Sequence, residues 1–264
     1  MPDAHIFIPA RYASTRFPGK PLADLNGLSV IVHVVRAALR SRAARPVYVA
    51  TDDERIAREV EAHFAPAQAQ VAMTSPDCHT GTDRLAQAIE TLGWSRDERR
   101  IVVNVQGDEP FVDPAHLDAL LELMNNAELR MATLATPILD AAQVADANVV
   151  KVVVSRQNRA LYFSRAPIPF ARDGAGATPL RHLGIYAYDV RWLREMAVLS
   201  PSPLEETEKL EQLRALEAGV AIGVAVVDNV VPIAIDTPDD LERARSFLFD
   251  LAQRRGDAEK ASKE

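Results

Sequence analysis

Short apolar runs alternate with amphipathic stretches along the first half of the chain. Ile6–Ile8, Pro46–Ala50, Gln70–Met73 and Ile101–Val105 read as short buried strands. Between them, apolar residues at helical spacing predict helices over Leu28–Arg40, from Thr51-Asp-Asp-Glu54 to about His63, and over Gly81–Leu92. Asp113-Pro114 opens a further helix, with proline at its first position. Strands alternating with helices form βαβ units, so the predicted fold class is α/β, a mostly parallel sheet flanked by helices.

The second half is less regular. Met131–Pro137 and Val149–Val154 read as strands, and Arg156–Arg159 as the turn of a hairpin into Ala160–Ser164. After a long Pro- and Gly-containing loop, Arg165–Pro179, the chain returns as a strand over Arg181–Tyr188. Pro203–Ala218 reads as one helix, Ala221–Val227 and Val231–Ile235 as strands, and Thr237-Pro-Asp-Asp240 as the cap of a final helix. With no internal repeat or flexible linker, residues 1–250 read as a single domain with a β-rich lobe inserted at roughly 149–188. The charged, alanine-rich tail at 251–264 is expected to fray.

Composition narrows the class of partner. A chain of 264 residues can bury a substantial core, and its net charge of -7 argues against a general nucleic-acid binder. The charge does not exclude an anionic small substrate, because a local basic loop can dominate the field in a cleft. The one cysteine, Cys78, excludes an internal disulfide and a cysteine-rich zinc site. There is no apolar run of membrane-spanning length and no signal-peptide pattern at the N-terminus, so the expectation is a cytoplasmic protein without membrane insertion.

The polar clusters fall where strands end, which is where open α/β sheets bind ligands. Directly after Ile6–Ile8 comes a loop holding Arg11, Ser14, Thr15, Arg16 and Lys20 between prolines and Gly19. Three cations with backbone N–H groups at a strand's carboxyl end suit a polyphosphate. It is not a Walker A loop, because Pro21 follows Gly19-Lys20 and Ser14 stands where the first glycine belongs. After Ile101–Val105, Gln106-Gly-Asp108-Glu-Pro110 offers a carboxylate able to approach a hydrated Mg²⁺, although the same residues make an ordinary turn. Asp236 is a natural partner for Asp108 on a metal, and by itself a helix cap. His79–Arg84 holds small residues at a helix start, where Thr80-Gly81 permits close approach of a base or ribose or simply caps the helix. Arg181–Tyr186 and Glu211-Gln212 supply further polar groups whose residue types alone decide nothing.

Taken together, these stretches resemble the 3-deoxy-manno-octulosonate (Kdo) cytidylyltransferases of lipopolysaccharide synthesis. The likeness runs from Ile8 to about Phe247. It rests on Ile8–Leu22, Thr80–Arg84, Val103–Pro110, Tyr162–Pro169, Arg181–Tyr186, Ser202–Glu205 with Leu210–Arg214, and Asp236-Thr-Pro. It implies a Rossmann-like nucleotide-diphospho-sugar transferase that moves CMP from CTP to Kdo with Mg²⁺, and a homodimer formed through the β-rich lobe. By the same resemblance Arg16 and Lys20, with Arg11, neutralise the triphosphate, and Asp108 and Asp236 hold the metal. Ala10, Ser14, Thr80 and Gly81 contact the nucleotide, and Arg165 pairs with the Kdo carboxylate. Gln106, His182, Tyr186, Glu211 and Gln212 meet the sugar hydroxyls.

Three positions depart from the pattern. Ala234 replaces a frequent glycine, Ser75 stands where many relatives carry a basic residue, and the 170–180 loop is short and Gly/Ala-rich. The competing readings are a cytidylyltransferase for 8-amino Kdo or a sialic acid, and a non-catalytic nucleotide-binding relative. The Arg181–Tyr186 and Leu210–Arg214 motifs favour Kdo over sialic acid, and the retained Arg16, Lys20, Asp108 and Asp236 weigh against the scaffold.

Overall fold

A computed structural model describes residues 3–261 except 15, 79, 96–98, 175 and 232, so Thr15 and His79 lie outside the described residues. The chain begins with β1 (Asp3–Ala10), a hairpin of β2 (Asp24–Leu25) and β3 (Leu28–Ser29), then α1 (Val30–Ala38) and β4 (Ala44–Thr51). It continues through α2 (Glu54–His63), β5 (Ala69–Met73), α3 (Gly81–Thr91), β6 (Arg100–Asn104) and α4 (Pro114–Leu123). Then come β7 (Met131–Pro137), α5 (Ala141–Ala145), β8 (Lys151–Val154), β9 (Ala160–Ser164) and β10 (Leu180–Asp189). The last elements are α6 (Val190–Val198), α7 (Pro203–Glu208), α8 (Gln212–Glu217), β11 (Ile222–Val226) and α9 (Pro238–Ala261).

One sheet carries the path β11-β7-β10-β6-β1-β4-β5, and β8 joins it through β10 with β9 alongside. Pairings β6/β1, β1/β4, β4/β5 and β7/β11 are parallel, whereas β10 is antiparallel to β6, β7 and β8. The apolar runs in β1 and β6 are continuous because both faces of the sheet are covered. Ile6 and Ile8 enter the core on one face with Ile101 and Val103, while Phe7 and Val102 enter the core on the other. Phe7 is fully buried, stacked on Tyr48 at 4.8 Å with Trp94 edge-on at 5.3 Å. Its truncation to alanine should cost about 3–5 kcal/mol. Helix α1 is rich in β-branched residues of modest helix propensity, and it forms because Val30, Ile31, Val32, Val34 and Val35 are all buried.

From β1 the chain winds outward to β4 and β5, then returns to β6 on the opposite side of β1. That reversal opens a crevice at the carboxyl ends of β1 and β6. Strand β10 is ten residues long and runs against β6, with Tyr186 opposite Asn104, the last residue of β6. Its first residues therefore overshoot that carboxyl edge, where they pair with β7 and β8.

Several elements differ from the sequence reading. Helix α1 starts at Val30 because Asn26 (φ 54) and Gly27 (φ 86) turn β2 into β3, an Asn-Gly hairpin signal present in the sequence. Helices α5 and α6 were not foreseen; Asp140 and Asp189 cap them by accepting from Ala142 and Arg191 N–H. The single helix expected over 203–218 is two, interrupted at Lys209, which adopts left-handed backbone (φ 54). Val231–Ile235 is no strand among the described residues. Ile235 N–H bonds instead to the Asp108 carbonyl at 2.9 Å, which takes this segment to the carboxyl edge of the sheet rather than into a ladder.

Candidate active site

A cleft of about 450 Å³ opens at the carboxyl edge of the sheet. Ten predicted residues line it: Ala10, Arg11, Ser14, Arg16, Lys20, Thr80, Gly81, Gln106, Asp108 and Asp236. The loop after β1 is shaped by Gly19, whose φ of 75 suits glycine and whose N–H bonds to the Tyr12 carbonyl at 2.9 Å. A Cβ there would meet the Tyr12 ring at 3.0 Å. A short 3₁₀ turn, Lys20–Leu22, follows. Lys20 Nζ donates to Asp108 Oδ2 at 2.5 Å and to Asp236 Oδ1 at 3.0 Å, and Arg16 Nη2 lies 3.2 Å from Asp236 Oδ2.

Each carboxylate is placed by local geometry. Gly107 lets the loop after β6 lie against β1, since a Cβ there would stand 2.8 Å from the Pro9 carbonyl oxygen. Asp236 is fixed by the cap of α9. Its N–H donates to Asp240 Oδ2 at 3.1 Å, and Thr237 N–H donates to the same oxygen at 2.8 Å. Thr80 caps α3 in a reciprocal box with Asp83, both bonds 3.0 Å, so the local cap and the cleft position hold together.

The remaining predicted residues gather around β10 and α8. His182 and Tyr186 have ring centroids 5.4 Å apart, and Gln106 Nε2 lies 3.5 Å from Asn104 Oδ1, beside the residue opposite Tyr186. These groups are surrounded by protein yet still touched by solvent, as on a cleft floor. Burial, helped by the nearby Arg181 charge, pushes His182 down to about 3, so it is neutral. Burial raises the Tyr186 hydroxyl and also the Glu211 carboxyl, which Thr82 Oγ1 partly steadies by donating to Oε2 at 2.9 Å. Two buried atoms here, Glu211 Oε1 and Gln212 Nε2, have no hydrogen-bond partner among the described residues. Uncompensated buried polar atoms are costly, and a hydroxylated ligand would satisfy them.

The Ser202–Arg214 motif acts as the frame of this end. Arg214 grips Glu205 with two bonds, Nε to Oε2 at 2.7 Å and Nη2 to Oε1 at 2.5 Å, tying α8 to α7. Burial would raise the Glu205 carboxyl, but the Arg214 bonds and charge outweigh it and hold it below the usual range. Arg165 is not among the residues that line the phosphate cleft. Its Nε, Nη1 and Nη2 donate to the carbonyls of Glu208 (2.7 Å), Ala147 (2.9 Å) and Lys209 (3.5 Å). A guanidinium has five N–H donors, so two remain for another acceptor.

Two residues of the site carried no individual role in the sequence reading. Glu109 is pushed up to about 7 by burial and by the neighbouring Asp108, partly offset by Arg181. Arg84 lines the cleft from α3. Its spacing of three from Gly81 puts both on one helix face, a signal the sequence did contain.

Among the described residues, no group of three or more His, Cys, Asp or Glu side chains gathers to hold a metal. Asp108 and Asp236 nevertheless converge on a single cation, the Lys20 ammonium. Two carboxylates completed by phosphate oxygens and water are the donor set Mg²⁺ prefers, so these residues fit the ion.

A family model described as Cytidylyltransferase matches residues 5–222. The chain is 46% identical over 263 residues to the 3-deoxy-manno-octulosonate cytidylyltransferase of Stenotrophomonas maltophilia K279a, spanning 96% of this chain and 100% of that one. It is 47% identical over 252 residues to the protein of the same name from Xanthomonas campestris pv. campestris 8004, covering 92% and 98%. A solved CMP:2-keto-3-deoxy-manno-octonic acid synthetase complexed with CTP superposes with a TM-score of 0.85 at 40% identity, covering 94% of this chain and 98% of its own. A Leptospira borgpetersenii cytidylyltransferase structure, 19% identical with a TM-score of 0.59, covers 93% and 86% and shares the fold.

Proposed function

The chain belongs to the cytidylyltransferase family, and from that premise we propose that it transfers CMP from CTP to Kdo, releasing pyrophosphate. One observation carries the reading: Asp108 and Asp236 meet at Lys20, opposite Arg16, in the crevice where the winding of the sheet reverses.

In this reaction the anomeric 2-hydroxyl of Kdo attacks the α-phosphorus in line and pyrophosphate leaves on the opposite side. Such chemistry needs positioning and charge neutralisation more than covalent help. Arg16 and Lys20, with Arg11, neutralise the triphosphate; Ala10, Ser14, Thr80 and Gly81 seat the nucleotide. Asp108 and Asp236 would hold Mg²⁺, which when bound neutralises phosphate charge and acidifies the attacking hydroxyl. Lys20 then exchanges these carboxylates for phosphate oxygens. At the other end Arg165 offers its remaining donors to the Kdo carboxylate. Gln106, His182, Tyr186, Glu211 and Gln212 meet the hydroxyls, a role supported by the two unpartnered atoms.

The assembly we assign is a homodimer built on the 149–188 lobe, supported by the exposed Leu161 and Phe170. No helix among the described residues is long and apolar enough to cross a membrane. A CTP-consuming enzyme fits the cytoplasm. Pyrophosphate release from CTP and Mg²⁺ with Kdo, 8-amino Kdo or a sialic acid tests the reading. Turnover should be fastest with Kdo. A preference for another sugar overturns the acceptor, and silence with all three overturns the catalytic reading.

A further inference from the structure

Arg84 lines the nucleotide cleft, yet the reaction as described gives it no part. Its side chain is 3% exposed. Nη1 donates to Thr74 Oγ1 at 2.6 Å, and Nη2 donates to Asp52 Oδ2 at 3.1 Å. Asp52 follows β4, Thr74 follows β5, and Arg84 itself stands one turn into α3, behind Thr80 and Gly81. One side chain, itself on the cleft lining, thus ties the start of α3 to the segments that follow β4 and β5. A buried guanidinium needs such partners, and its planar fork holds two of them at a fixed angle in a way an ammonium does not.

The order of the strands says which part of a ligand the Arg84 end of the cleft faces. Along β6-β1-β4-β5, Asp108 follows β6 and the phosphate-binding cations follow β1, with Asp236 brought to them from the segment before α9, while the Arg84 partners follow β4 and β5. Neighbouring strands are about 4.8 Å apart, so β1 and β6 lie roughly 5–14 Å from β4 and β5, within the span of an extended nucleoside triphosphate. A triphosphate anchored at Arg16 and Lys20 directs its nucleoside toward Arg84, Cys78 and Thr80-Gly81, all of which line the same cleft.

We propose that Arg84 is a positioning residue for the nucleoside of CTP, tying the start of α3, with Thr80 and Gly81 on the cleft lining, to Asp52 and Thr74 behind it so that this end of the cleft is preformed. The inference rests on the reading of CTP as substrate.

Calorimetric titration of CTP with Mg²⁺, steady-state kinetics and thermal melting on the full chain test it. Arg84→Lys should weaken CTP binding and raise the CTP KM about tenfold, the effect of losing one charge-assisted hydrogen bond. The KM for Kdo and kcat should stay within about twofold, because the change acts on one substrate's seat. Thr74→Val, which keeps the side-chain shape, should shift CTP affinity the same way by about threefold. Asp52→Asn, which keeps an acceptor, should lose less than Asp52→Ala. Wild-type CTP affinity in Arg84→Lys, or a loss shared equally by both substrates and kcat, overturns the proposal. If Arg84→Lys does not fold, Thr74→Val decides, and an unchanged CTP KM there overturns it. Wild-type protein that binds no CTP removes the substrate reading itself, an outcome separate from any variant's behaviour.

Discussion

The two ends of the site are built by opposite means. At the β1–β6 end, charged side chains meet at a partly open edge: Arg16 is 65% exposed and Asp236 38%, while Lys20 (15%) and Asp108 (22%), whose ion pairs hold the cluster, lie deeper. At the β10–α8 end the titratable groups are driven toward neutrality by burial, with His182 lowered and Tyr186 and Glu211 raised. A triphosphate brings its own charge and counterions, so its receptor must be charged and able to exchange partners. A sugar hydroxyl is read best by neutral donors and acceptors in a dry setting, where an unmatched group is penalised. Under the proposed function the contrast divides the work by environment, the charged cleft taking the triphosphate and the buried β10–α8 groups the sugar.

The sharpest way to break this contrast is Asp108→Ala. It should lower kcat roughly 10³-fold or more while the melting temperature stays near wild type. Near-wild-type turnover would mean that the charged end is not the catalyst. Gly107→Ala keeps every charge but forces a Cβ to 2.8 Å from the Pro9 carbonyl, so the loop must move. A displaced carboxylate should cost about 10²-fold in kcat with the Kdo KM little changed; an unchanged kcat would show that close approach is not required.

Arg165→Ala probes the other end and should raise the Kdo KM about tenfold, as for one lost charge-assisted bond. An effect confined to CTP would show that Arg165 serves the wrong substrate.

The smallest effect concerns acid stability. His182 is held at about 3 against an ordinary 6.5, so between these values the folded state binds fewer protons than the unfolded chain. Its stabilising contribution is therefore present above 6.5 and is lost as pH falls toward 3. Glu211 has the opposite sign: its contribution is full below the ordinary 4.5 and is lost as pH rises through its raised value. Urea midpoints measured across the acid range should fall less steeply below pH 6.5 in His182→Gln than in wild type. Identical slopes would show that the β10 end is not desolvated as described.

Much of the charged end was legible in the chain because its determinants are local. Ile6–Ile8 and Ile101–Val105 are apolar without alternation because both faces are covered, and Gly19, Gly107 and the Thr237 cap shape the turns that follow. The other end was harder to read. The break at Lys209, which separates α7 from α8 and presents Glu211 and Gln212, accompanies the Glu205–Arg214 grip rather than any helix-breaking residue type. The 231–235 segment looked like a strand by apolar content, but its N–H at Ile235 found the Asp108 carbonyl.

By itself the sequence determined the α/β alternation and a loop dense in cations after the first strand, because strand burial, turn chemistry and charge density act over a few neighbours; that Asp108 and Asp236 belong together came from the family resemblance rather than from local preference. Only the tertiary structure decided that Asp108 and Asp236 share one cation, that β10 overshoots β6, and that Arg84, on the cleft lining, ties α3 to the segments after β4 and β5. Those are distances between segments far apart in the chain, and they are fixed by sheet order and packing rather than by any local preference.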